Sequence, residues 1–319
     1  MTHNAAKVRG RFAPSPTGRM HFGNIATAVA TWLSVKSRGG EWILRIEDLD
    51  PQRSKRRWME QIEDDLVWLG LRWDAGGLAA PAYSQSNRGG HYEEALARLK
   101  ATGMTYACTC TRADIMATQA PHQSDGRVIY GGRCRPASMP CFGEEPPTPH
   151  ATRLYVSDGE IVVVDGVFGR TVTNLARECG DFILRRADGA WAYQLAVVVD
   201  DALMGVTEVM RGSDLLLSAA QQTYLYRLLG YDVPEFVHLP LMCNPEGRRL
   251  SKRDSAMSME AMRSALTPEE LLGRVGAALG LTATDEPVTL ERLLELYERG
   301  NIKKQQTVNI DEELRVINA

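Results

Sequence analysis

The sequence predicts an α/β fold in which short apolar strands alternate with amphipathic helices. Two stretches carry that expectation. In the first, Val8-Arg-Gly-Arg-Phe-Ala13 reads as a strand, and Pro14, Pro16 and Gly18 then force a loop. From His21 the pattern turns helical, with Ile25, Val29, Trp32 and Leu33 on one face. A strand, a glycine-containing turn and a helix start leave backbone N–H groups at the positive end of a helix dipole, which suits a phosphate. The second stretch repeats the alternation. Trp42-Ile-Leu-Arg-Ile46 is a short strand, and an amphipathic helix over 54–70 follows it, closed by Gly70.

The remaining elements follow in order. The strand at 42–46 ends in Glu47-Asp48-Leu49-Asp50, and ligands of open α/β sheets sit at such carboxyl ends. Trp58, Ile62, Leu66 and Leu69 give the 54–70 helix its core face. Residues 87–102 repeat the pattern with Tyr92, Ala95, Leu96 and Leu99, closed by Gly103. Cys108 and Cys110 stand at a spacing that can share one metal ion, and Cys134 can return as a third ligand. The chemistry of structural zinc sites asks for a fourth ligand and offers Cys141 or His122. Residues 111–150 are rich in Pro, Gly and polar side chains, so a metal clip would fold what burial alone could not.

Residues 153–172 alternate and carry Asp158-Gly159 and Asp165-Gly166 turns, as antiparallel strands do. Strands are expected over 181–186 and over Ala192–Val199, separated by an Asp188-Gly189 turn. Asp200 and Asp201 then stand at the end of an apolar strand, either as ligands of a nucleotide-bound Mg²⁺ or, as favoured here, as caps of the next turn. A helix spans 215–229 and Gly230 closes it. Val237-His-Leu-Pro-Leu241 is the last strand before a run containing Arg248, Arg249, Lys252 and Arg253. Residues 268–319 are mainly helical and end in a polar tail.

At 319 residues the chain allows one large domain with insertions or two modest ones. Its 44% hydrophobic and 24% charged content is that of an ordinary globular protein. A net charge of −3 gives no global basic excess, so a nucleic-acid partner would rest on a local face. Neither a signal-type apolar core nor a membrane-length run is present, which predicts a cytoplasmic protein without membrane contact. Three of the six cysteines crowd into 108–134, which favours metal over disulfides.

PSPTG followed by His21-Phe22-Gly23-Asn24 resembles the HIGH signature of class I aminoacyl-tRNA synthetases, and Arg249-Leu-Ser-Lys-Arg253 resembles their KMSKS loop. Arg45-Ile-Glu-Asp-Leu-Asp50 is similar to the RIEDTD of the glutamyl members, and a glutaminyl member would carry PEPNG in place of PSPTG. Trp68–Asp74, Tyr83–Ser86 and Gly205–Asp214 fit the same group, so the resemblance spans about residues 8–255. Three features point to a short branch of that family: the HFG-plus-polar motif, the 108–134 cysteine cluster, and the early end of the chain.

The resemblance implies a class I synthetase-type Rossmann fold with a zinc-containing insertion and a short helical C-terminal region. The halves would be 1–105 and 181–255, the insertion 106–180 and the helical region 256–319. It implies ATP held by His21, Gly23, Asn24 and Lys252, with His21, Asn24 and Lys252 catalytic. L-Glutamate would be held by Arg11, Phe12, Ala13, Pro14, Ser15, Glu47, Tyr193 and Arg211. Zinc would sit on Cys108, Cys110, Tyr130 and Cys134, and Mg²⁺ would come with ATP. A monomer is expected. The acceptor would be the queuosine-bearing anticodon stem-loop of tRNA(Asp), reached by a chain that stops before the anticodon-binding part of an ordinary glutamyl enzyme. The rival readings are an ordinary glutamyl-tRNA synthetase and a non-catalytic paralogue that binds tRNA or a metabolite.

Overall fold

The computed structural model describes residues 7–117, 129–143, 146, 148–250 and 257–317. The chain opens with β1 (Arg9–Phe12), α1 (Phe22–Lys36), β2 (Glu41–Leu44), α2 (Arg56–Trp68), β3 (Ala75–Gly76) and α3 (Gly89–Ala101). Then follow β4 (Thr105–Cys108), α4 (Arg112–Ala117), β5 (Ala151–Leu154), β6 (Glu160–Asp165), β7 (Gly169–Asn174), α5 (Leu175–Glu178) and β8 (Phe182–Arg185). The second half holds α6 (Tyr193–Leu203), β9 (Glu208–Gly212), α7 (Leu216–Leu229), β10 (Glu235–Leu239) and β11 (Leu241–Cys243). Helices α8 (Met259–Ala265), α9 (Pro268–Leu279) and α10 (Leu290–Leu296) and strand β12 (Thr307–Asn309) complete it.

Seven strands form the main sheet in the order β3-β2-β1-β9-β10-β6-β7, parallel except for the β6–β7 hairpin. A parallel sheet needs cover on both faces, and the sequence supplies it. In β2, Trp42 and Leu44 join the core shared with α1, α2, α9 and α10, while Ile43 joins the opposite core with α3, α6 and α7. From β1 the chain winds outward to β2 and from β9 outward to β10, so the switch of direction lies between β1 and β9. A crevice opens at the carboxyl ends of strands at such a point.

Three expectations change. The hairpin β6–β7, which the resemblance assigns to the insertion, extends the main sheet through the pairing of Asp165 with Phe236. The insertion keeps a separate sheet, β4-β5-β8. Ala192–Val199, read as a strand, lies instead at the start of α6. That helix is buried across Leu195–Asp201, so its apolar run shows no helical period, and a short run of this kind cannot be told from a strand by pattern. The polar tail is also ordered: β12 pairs with β11, and the Gln306 carbonyl accepts from the Leu241 N–H and the Ser213 hydroxyl, each at 2.8 Å.

Candidate active site

Where β1 and β9 end, a cavity of about 530 Å³ opens. Arg11, Phe12, Ala13, Pro14, Ser15, His21, Gly23, Asn24, Glu47, Tyr193 and Arg211 all line it, so the sequence's separate site stretches meet in one place. Its charged walls carry four guanidiniums (Arg11, Arg19, Arg211, Arg249) against two carboxylates (Glu47, Asp214), which favours anionic ligands.

One end of the cavity is the start of α1. The His21 N–H donates to the Asn24 side-chain oxygen at 3.1 Å, so the residue that departs from the signature's final His closes the helix's first turn. A Cβ on Gly23 would stand 3.2 Å from the His21 ring, and glycine leaves that approach open. The cationic run leaves the cavity at Leu250, which lines it. After the undescribed stretch, Ser258 bridges to His21, and the Met259 N–H donates to the Met20 carbonyl at 2.9 Å. Lys252 and Arg253 lie outside the described residues. Arg249 pairs with Asp214 and Arg248 with Glu246, so these two cations are already partnered.

The other end is a buried ionic network that the sequence did not announce. Asp200 and Asp201 neither cap a turn nor face a nucleotide, because α6 carries both into the core, where they hold arginines. Asp201 Oδ1 accepts from Arg11 Nε at 3.0 Å and from the fully buried Arg45 at 2.5 Å. Arg45 also donates to Glu47 at 3.1 Å. Asp200 accepts from Arg88 at 2.5 Å, Gln85 at 2.7 Å and Tyr92 at 2.9 Å. Burial disfavours the charge on Asp201, yet Arg11 and Arg45 hold its carboxyl below the usual range. For Glu47 burial prevails over Arg45 and Arg11, and its pKa rises. An added cation beside Glu47 would therefore be favoured.

Arg211 is held by a second relay. Its Nε donates to His238 Nε2 at 3.1 Å, its Nη1 to Gln222 at 2.7 Å and its Nη2 to the Leu215 carbonyl at 3.2 Å. Arginine only donates, so His238 accepts at Nε2 and carries its proton on Nδ1, 2.6 Å from Asp165. Burial lowers the His238 pKa, in keeping with a neutral ring. Gln222 in turn donates to Gln194 at 2.8 Å. The guanidinium plane is thereby fixed before any ligand arrives. Pattern reading could not have paired His238 with Asp165, which reads in the sequence as a turn residue.

In the insertion, the thiol sulfurs of Cys108, Cys110 and Cys134 lie within 4.8 Å of one another, close enough for one metal ion. The Tyr130 hydroxyl adjoins them. It lies 3.5 Å from Cys108 Sγ and 4.0 Å from Cys110 Sγ, and it accepts from the Cys134 N–H at 2.7 Å. Among the described residues Cys141 is not part of that group, and His122 lies outside them.

No helix among the described residues is long and apolar enough to cross a membrane. Residues 7–316 match the family model of the class I tRNA synthetases (E and Q), catalytic domain. The chain is 45% identical over 307 residues to a glutamyl-Q tRNA(Asp) synthetase from Symbiobacterium thermophilum, covering 93% of this chain and 94% of that one. A protein of the same name from Deinococcus radiodurans is 43% identical over 300 residues, covering 91% and 96%. A crystal structure of a glutamate tRNA ligase from Elizabethkingia meningosepticum, in complex with its amino acid, superposes with a TM-score of 0.81 at 30% identity, covering 97% of this chain and 68% of that one.

Proposed function

We propose, for a chain that belongs to the glutamyl-Q tRNA(Asp) synthetase family of class I synthetases, that it activates L-glutamate with ATP and passes the glutamyl group to queuosine in the anticodon of tRNA(Asp). The observation that carries this reading is the single cavity that joins the α1 turn to Arg11, Glu47, Tyr193 and Arg211. Arg11 and Arg211 offer donors in fixed planes for carboxylates, a match that lysine could not reproduce. Glu47 takes the α-ammonium. His21, Gly23 and Asn24 receive the nucleotide phosphates at the helix start, and Lys252 neutralises the departing pyrophosphate.

In the first step an α-carboxylate oxygen attacks the α-phosphorus, and the bond to pyrophosphate breaks. Positioning and charge neutralisation supply the catalysis, and no protein nucleophile is needed. Mg²⁺ would accompany the nucleotide; Asp200 and Asp201 are occupied by arginines. Cys108, Cys110, Cys134 and Tyr130 would hold one zinc ion as a structural clip for the insertion.

Glutamate-dependent ATP–pyrophosphate exchange is the expected activity, with glutamine at least ~100-fold poorer. An amide leaves a buried guanidinium mispaired, at about 1–3 kcal/mol for each such group. Equal exchange with both amino acids would defeat the assignment. Labelled glutamate should appear on queuosine-bearing tRNA(Asp); labelling of tRNA(Glu) at its 3′ end would favour an ordinary synthetase. Zinc analysis should find one ion per chain, reduced in Tyr130→Phe and kept in Cys141→Ser. The reverse pattern would move the fourth ligand to Cys141.

A further inference from the structure

Consecutive residues of the turn before α1 face consecutive residues at the start of α8, in antiparallel order. His21 bridges to Ser258, the Met20 carbonyl accepts from the Met259 N–H at 2.9 Å, and Arg19 Nε pairs with Glu260 at 3.1 Å. Helix α8 is held from α2 as well. One turn on, Arg263 pairs with Asp64 at 2.5 Å and with the buried Asp65 at 2.8 Å, and its guanidinium lies over the Trp68 ring at 5.3 Å. With both backbones fixed, the part of this contact that is free to re-aim is the Arg19 side chain.

Arg19 differs from the other cations of the active-site cavity. Buried Asp201 holds Arg11, and His238 with Gln222 holds Arg211. Arg249 faces Asp214, which lines the same cavity and offsets its charge there. Arg19 lines the cavity too, but its partner does not: Glu260 stands outside the wall, and its side chain is 67% exposed. An ion pair with so exposed a carboxylate contributes little, because water screens it and two long side chains must be held in one geometry. Arg19 therefore brings to the nucleotide end a positive charge that its own partner offsets only weakly.

We propose that Arg19 is a ligand of the β- and γ-phosphates of ATP, and that Glu260 is the resting partner from which those phosphates draw it. The proposal rests on the reading of this cavity as the ATP site. The turn that carries Arg19 leads into α1, whose first N–H groups suit phosphate. The chain returns from the cation run to that turn at Ser258, which puts Arg19 on the pyrophosphate side. A guanidinium presents its donors as a planar fork that meets phosphate oxygens bidentately, and an ammonium does not. The triphosphate carries more negative charge than one carboxylate and lies in a cavity less open to water, so it outcompetes Glu260 for the same cation.

The test compares Arg19→Gln, Arg19→Lys and Glu260→Gln with the wild-type chain. Each is titrated calorimetrically with ATP and with AMP, with Mg²⁺ present and without glutamate or RNA, and each is assayed for ATP–pyrophosphate exchange. In Arg19→Gln the Kd for ATP should rise by about tenfold or more, as for a lost hydrogen bond to a charged group, while the Kd for AMP and the KM for glutamate stay within about twofold. Retained AMP binding shows that the variant is folded and its site intact. Arg19→Lys should recover part of the loss. Glu260→Gln releases the arginine and should bind ATP as tightly as wild type or more tightly. ATP and AMP weakened alike, or ATP binding unchanged in Arg19→Gln, would overturn the assignment. An equal loss of ATP affinity in Glu260→Gln would overturn it too, because the pair would then act only as a stitch between the turn and α8. A wild-type chain that binds no ATP would defeat the reading of the cavity itself, and the ligand with it, before any variant is compared.

Discussion

Asp201→Asn is expected to cost about 3–5 kcal/mol of stability, the usual penalty for stripping a buried pair of one partner, and to abolish most of the exchange activity. The carboxylate is almost wholly buried and joins Arg11 to the fully buried Arg45. Asparagine keeps the shape and one acceptor, so the variant isolates the charge. Two guanidiniums would then share a core with less compensation, and Arg11 would lose the contact that fixes its plane in the cavity. The dependence on pH has a definite sign. The folded-state pKa of Asp201 lies below its ordinary value, so its contribution is complete above the unfolded pKa of about 3.9 and is lost as pH falls through the lowered value. Urea midpoints of both proteins should therefore differ fully near neutrality and converge in strong acid. Equal midpoints at pH 7 would mean that the pair contributes nothing net to stability.

The turn from Arg11 to Asn24 was legible because proline, glycine and a resumed helical period each leave a mark on the sequence. The proposed ligand-side residues were named through the family resemblance, and the structure brings them to one cavity wall, with Glu47 just beyond the end of β2. The supporting groups were not legible. Asp200 and Asp201 look like surface caps until the preceding run is known to be a buried helix, and a helix buried all round loses the period that identifies it. Arg45 sits between apolar neighbours and was read as part of a motif, although it is the cation that ties Asp201 to Glu47. His238 and Asp165 meet only because the β6–β7 hairpin adds to the main sheet beside β10, a pairing set by topology, with no local pattern to betray it. The tail at 307–309 likewise becomes a strand only on meeting β11.

Lys252→Ala is expected to slow glutamate-dependent exchange by ~100-fold or more, as loss of a transition-state donor does, while the urea midpoint stays within error of wild type. Of the cations in that run, Arg248 and Arg249 already face Glu246 and Asp214, so neither is a ready substitute. The described residues on either side also point to the nucleotide end. Leu250 is part of the cavity wall, and Ser258 bridges to His21 at the start of α1. Lys252 lies between Leu250 and Ser258 in the sequence, and the charge it is proposed to meet is that which gathers on pyrophosphate as the bond to the α-phosphorus breaks. An ammonium acts there as a point charge, so Lys252→Arg should recover part of the rate and Lys252→Met none. The loss should fall on kcat more than on KM for glutamate, because the proposed amino-acid site of Arg11, Glu47 and Arg211 lies at the far end. A midpoint that drops with the rate would assign the run a structural role. A rise confined to the KM for glutamate would place the lysine at the wrong end of the cavity.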